Sequence, residues 1–123
     1  MYRIRYNVSM KEILFYKTKQ GKSPYYEWYK TLDNSIKLRI DKRLQRIIQG
    51  NYGDFKSIDE NLKEFRFSIG KGYRIYYYQL ENTLILFVAG SDKKDQKKVI
   101  QQANNYFTEY CERTHYDPNS RTN

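Results

Sequence analysis

The chain has 123 residues, 23 Lys+Arg against 14 Asp+Glu, and a formal net charge of +9; it is 39% hydrophobic and 17% aromatic. That describes one compact domain able to bury roughly two thirds of its unfolded surface without a disulfide or a metal. The lone Cys111 excludes an intramolecular disulfide, a single His excludes an ordinary Cys/His zinc site from this chain, and a reducing cytoplasm is the simplest setting.

No apolar stretch approaches the roughly 20 residues of a membrane helix, or even a signal-peptide core. The positive surplus favours a polyanionic partner, nucleic acid first and an acidic protein second. Tyr2, Ile4, Tyr6 and Val8 alternate with polar residues and Ile13–Tyr16 follows after a polar break, which predicts one or two N-terminal strands. Met10-Lys11-Glu12-Ile13 also reads as a start, making residues 1–9 a candidate extension.

Ser23-Pro24 opens a first helix, with Ser as N-cap and Pro at the first helical position, and puts Tyr25, Trp28, Tyr29 and Leu32 on one face. Asp33-Asn34 opens a second, longer helix. Ile36, Ile40, Leu44, Ile47 and Ile48 form its apolar stripe, and Lys37, Arg39, Lys42, Arg43 and Arg46 its outer face. Gly50-Asn51-Tyr52-Gly53-Asp54 stops this helix hairpin.

Three strands follow, around Phe65–Ile69, Tyr73–Leu80 and Thr83–Ala89, joined by turns at Gly70-Lys71-Gly72 and Glu81-Asn82, and together they read as an antiparallel meander. Lys94–Glu112 predicts a closing helix with Val99, Ile100, Ala103, Phe107 and Tyr110 on one stripe; from Arg113 a polar, frayed tail is expected. The chain shows no internal repeat, low-complexity tract or second domain, so residues 1–112 read as a single α+β domain and 113–123 as a flexible tail.

Common enzyme templates are absent: no Walker A loop, dinucleotide fingerprint, HExxH or Gly-x-Ser-x-Gly. Gly70-Lys71-Gly72 alone reads as a hairpin turn, and His115 falls in the expected tail. What remains is a basic, tyrosine-rich sheet. If Phe65, Phe67 and Ile69 face the helices, alternation sends Arg66 to the opposite face and groups Arg74, Tyr76 and Tyr78 there, with Tyr73, Ile75 and Tyr77 behind. Lys71, Lys93, Lys94, Lys97 and Lys98 rim that surface. Guanidinium forks grip phosphate oxygens and tyrosine rings stack on bases, which suits single-stranded RNA; Lys71, Tyr73, Tyr78 and Lys97 are its expected contacts.

The ordered set Asn34–Gln49, Gly50-Asn51-Tyr52-Gly53-Asp54-Phe55-Lys56, Glu64-Phe65-Arg66-Phe67, Gly70-Lys71-Gly72-Tyr73-Arg74-Ile75-Tyr76-Tyr77 and Gly90-Ser91-Asp92-Lys93-Lys94-Asp95-Gln96 resembles the RelE/ParE superfamily. Its nearest branch is the HigB-like addiction module killer group of type II toxin-antitoxin systems. The resemblance covers about residues 11–112. It implies an N-terminal strand and a helix hairpin packed on a twisted antiparallel sheet, with a C-terminal helix. It also implies a cytoplasmic mRNA endonuclease acting on the ribosome without metal or cofactor, held in check by a cognate antitoxin.

By the same resemblance Arg74 is directed at the scissile phosphate, Arg66 fills a basic position one strand earlier, Lys93 or Lys94 supplies a further cation, and Lys56 contacts the RNA backbone. Two positions depart from RelE, Ile100 in place of a tyrosine and Glu64 in place of a lysine. With no usable histidine, charge stabilisation dominates such a mechanism, and the general base is left among Tyr76, the lysine pair and Glu64. A gyrase-inhibiting, ParE-like protein and a non-catalytic RNA-binding or decayed toxin are the competing readings, since one fold hosts several functions.

Overall fold

A computed structural model describes residues 10–119. The alternating stretch Tyr2–Val8 and the last four residues lie outside them. The elements run β1 (Glu12–Phe15), α1 (Pro24–Tyr29), α2 (Asn34–Ile48), β2 (Phe55–Ser57), β3 (Leu62–Phe67), β4 (Tyr73–Glu81), β5 (Leu84–Ser91) and α3 (Gln96–Thr114). This is an α+β fold. The five strands form one sheet in the order β1-β5-β4-β3-β2.

Each helix starts where local chemistry favours it. Ser23 caps α1, its Oγ accepting the Tyr26 amide at 3.2 Å, and Pro24 occupies the first turn, where a missing N–H costs nothing. Asp33 caps α2 through backbone geometry alone. The expected apolar faces are the ones buried: Tyr25, Trp28, Tyr29, Leu32, Ile36, Ile40, Leu44 and Ile47 pack on Phe65, Phe67, Ile75, Tyr77, Ile85 and Phe87 on one side of the sheet. On the other side α3 lays Val99, Ile100, Ala103, Phe107 and Tyr110 over Leu62, Tyr76, Tyr78, Leu80, Leu86 and Val88. Both sheet faces are therefore core.

Four features depart from or add to the expected pattern. The sheet is mixed rather than wholly antiparallel, because β1 runs parallel to β5 with Glu12 opposite Leu84 and Phe15 opposite Phe87, while β2 to β5 alternate in direction. A short strand, β2, pairs Lys56 with Glu64 directly after the Gly53 turn, in addition to the three strands expected there. Between Tyr76 and Tyr77 the β4–β5 register slips by one residue, the mark of a bulge.

The fourth concerns the expected tail. The described part after Arg113 is fastened to the domain: α3 runs to Thr114, Arg113 donates to the Lys17 carbonyl at 2.9 Å, and Tyr116 donates its hydroxyl to the Leu80 carbonyl at 2.8 Å. Tyr116 also packs edge-on against Phe107, so aromatic burial outweighs the polarity of its neighbours. Among the described residues no helix is long and apolar enough to cross a membrane.

Burying so many tyrosines has a pH signature. Burial raises the pKa of Tyr76 to about 12 and raises those of Tyr77 and Tyr78 as well, because the phenolate cannot be hydrated there. In the unfolded chain these phenols titrate near about 10. The folded state thus holds their protons more tightly, and its stability is intact below about pH 10 and lost as pH rises through about 12. An alkaline titration followed by circular dichroism and tyrosinate absorbance should show cooperative unfolding in that window, with these phenols ionising as the fold is lost rather than before it.

Candidate phosphodiester site

Side chains directly opposite one another on neighbouring strands share a face. One row across the sheet is Lys56, Glu64, Tyr76 and Ala89; the next is Arg66, Arg74 and Ser91. Both rows lie on the α3 side. The helix begins only at Gln96, so it covers Tyr76 and Tyr78 and leaves the Arg66–Arg74 end of that face partly open.

At this open end the charges converge on Glu64, whose side chain is 2% exposed. Arg74 Nε lies 3.6 Å from Glu64 Oε1 and Arg66 Nη1 4.0 Å from Oε2, while Gln96 donates from Nε2 to Oε1 at 3.1 Å. A second carboxylate, Asp54 on the loop before β2, takes Arg66 Nε at 3.5 Å. Arg74 Nη1 donates to the Gly72 carbonyl at 2.6 Å. Gly72 has a positive φ, and a Cβ on it would stand 3.2 Å from Arg74 Nη1 and 3.5 Å from Lys93 Cβ, so the turn closes tightly between those two residues. The Lys93 amide donates to the Lys71 carbonyl at 3.2 Å, tying the turn to the segment that enters α3.

Arg43 holds this end of the sheet from behind. Its guanidinium donates Nε to the Tyr52 carbonyl (3.0 Å), Nη1 to the Arg66 carbonyl (2.7 Å) and Nη2 to the Asp54 carbonyl (2.6 Å), and lies 4.7 Å from the centre of the Phe67 ring. Burial lowers its pKa. The helical pattern places Arg43 on a solvated face, but the chain beyond α2 folds back over it and presents three carbonyls that only a guanidinium can serve together.

A comparison with known proteins aligns this chain with an uncharacterized protein of Haemophilus influenzae, 38% identical over 77 residues, covering 62% of this chain and 78% of that protein. The two belong to one family. No protein-family model matches the chain.

Of the expected site residues, Arg66 and Arg74 meet on one carboxylate, Lys93 stands beside Arg74 across Gly72, and Lys56 opposes Glu64. Lys94 and Lys97 are exposed on either side of Gln96. Two expectations fail for one reason. Tyr76 and Tyr78 share the arginines' face, but α3 covers them, so neither ring is free to stack on a base. The Tyr76 hydroxyl is bonded to Ser91 Oγ at 2.9 Å and stays a neutral phenol, which removes it as a surface base; Tyr78 stacks on Phe107 at 3.6 Å and donates to Asn104 Oδ1. Tyr73 lies on the opposite side of the sheet, against Trp28.

Glu64, Asp54, Gln96 and Arg43 were not singled out as a group. The two-residue spacing of Glu64 and Arg66 on one strand is the signal that was open to reading; the other contacts join segments far apart in the chain. Among the described residues no three His, Cys, Asp or Glu side chains gather closely enough to hold a metal ion.

The energetic link between Glu64 and Arg74 is measurable. Arg74→Gln leaves Glu64 without its most buried partner and should cost about 3 kcal/mol in urea denaturation. Adding Glu64→Gln should recover part of that loss, with a coupling above about 1 kcal/mol. Strict additivity would mean that the two side chains do not depend on each other.

Proposed function

We propose that the protein is a toxin of a type II toxin-antitoxin system with the RelE/ParE fold, an endoribonuclease that cuts mRNA on the ribosome. The observation that carries this reading is the pairing of Arg66 with Arg74 across β3 and β4 at a partly open sheet end, flanked by Lys56 and Lys93. The charge of +9 and the ordered motifs from Asn34 to Gln96 support it. So does the architecture, a helix pair and a C-terminal helix on opposite faces of a sheet whose N-terminal strand lies at one edge.

In this reading a phosphodiester docks on the two forks, competing with Glu64 for the same donors. The ribose 2′-oxygen attacks phosphorus, one amine of the exposed Lys93/Lys94 pair takes its proton, and Arg66 and Arg74 stabilise the charge of the pentacoordinate phosphorane. The P–O5′ bond breaks and the other lysine of the pair protonates the departing oxygen, leaving a 2′,3′-cyclic phosphate and a 5′-hydroxyl. The scheme uses only protein groups. The cognate antitoxin is a partner rich in Asp and Glu that covers this cationic surface.

The test is induction of the protein in cells with primer extension on mRNA. Wild type should cut transcripts, and Arg66→Ala and Arg74→Lys should each lose about 100-fold to 1000-fold in rate. Arg74→Lys keeps a positive charge beside Glu64, so its loss reports the missing fork and not a collapsed ion pair. Growth arrest with intact transcripts, accompanied by inhibited supercoiling, would instead make the protein a gyrase poison.

A further inference from the structure

Beyond the ends of β4 and β5 lies a cleft of about 390 Å³ whose walls include Trp28, Tyr73, Asp33, Asp92, Asp95 and Lys71. The two rings stand 6.4 Å apart, tilted by 57°, and form a V. The indole is fixed in place: it lies so close over Gly90 that a Cβ there would come within 2.1 Å of it. Asp92 spends one oxygen on the Asp95 amide at 3.0 Å, whereas the Asp33 and Asp95 carboxylates make no side-chain bond to the helices they precede. Lys71 stands at the rim, and its carbonyl is the one that holds Lys93 next to Gly72 and Arg74. Lys93 therefore stands next to the Lys71 wall of the cleft, with Gly72 between it and Arg74.

Aromatic walls, carboxylate acceptors and a cationic rim select a planar ring that offers N–H donors and is joined to an anion. Among nucleobases guanine fits best: its N1–H and N2 amino group lie side by side and match the two oxygens of one carboxylate, as an acidic side chain matches base amino groups elsewhere. Uracil offers a single N–H between two carbonyls, which a carboxylate repels.

We propose that this cleft binds the guanine base of a nucleotide whose phosphate lies toward Lys71, Lys93 and Arg74, an inference that rests on the RNA-cleaving reading of the arginine site and gives it a base preference. Asp33 and Asp95 are the specificity-determining residues.

Trp28 is the only tryptophan in the chain, so its emission reports directly on the cleft. Titrating the full chain with guanosine 3′-monophosphate should quench Trp28 saturably, with uridine 3′-monophosphate binding about tenfold more weakly. Asn is as good an N-cap as Asp, so Asp33→Asn/Asp95→Asn should keep the melting temperature while bringing the two nucleotides to equal affinity. Equal binding of both nucleotides by the wild type, or no saturable quenching by either, overturns the proposal. Transcript cutting without the guanosine preference sinks the cleft alone; a guanosine preference in a protein that cuts no RNA sinks the nuclease reading and leaves the cleft a nucleotide site.

Discussion

Glu64 is held out of water where β3, β4 and the first turn of α3 meet, and its charge is tolerable there only because Arg66, Arg74 and Gln96 reach it. An isolated carboxylate at such depth would cost several kcal/mol, so each of these side chains is constrained by the need to keep the anion served. The constraint runs outward. Arg74 is further tied to the Gly72 carbonyl, which sets the turn against Lys93, while Arg66 leans on Asp54. One buried charge thereby organises cations contributed by three separate segments, β3, β4 and the stretch that enters α3.

The rest of the domain solves a related problem with tyrosine. Placing core on both sides of one sheet calls for bulky side chains, and β4 supplies Tyr76 and Tyr78 to one layer and Tyr77 to the other. Rings satisfy the packing: Tyr77 stacks on Phe65 at 4.0 Å and Tyr78 on Phe107 at 3.6 Å. Three hydroxyls are satisfied at the edges of the layers, where Tyr76 meets Ser91, Tyr78 meets Asn104 and Tyr116 meets a backbone carbonyl, while the buried Tyr77 hydroxyl has no hydrogen-bond partner among the described residues. Tyrosine is thus used as a core residue with a polar end, in keeping with its amphipathic character.

Much of this was legible in the amino-acid order. Strand alternation put Arg66 and Arg74 on one face and Phe65 and Phe67 on the other, and helical periodicity picked out the buried stripes of α1, α2 and α3, because both patterns follow from backbone geometry alone. Tyr76 and Tyr78 were misjudged because alternation separates the faces of a strand without saying which face a distant helix will cover. Arg43 was misjudged because its three carbonyl partners belong to a loop and a strand that periodicity within α2 cannot see. The parallel seating of β1 has no local signal at all.

That seating has a consequence for how the protein is made. β1 is synthesised early, yet its hydrogen-bonding partner β5 follows about seventy residues later. The meander of β3, β4 and β5, which carries both arginines, closes through short turns and forms cheaply, whereas the β1–β5 contact requires one large loop to be drawn shut. On the ribosome, the hairpin bearing Arg66 and Arg74 can assemble before Gln96 has emerged to reach Glu64. The chain order thus lets the arginines and Glu64 come together on the β3–β4 hairpin before the helix that completes their surroundings is available.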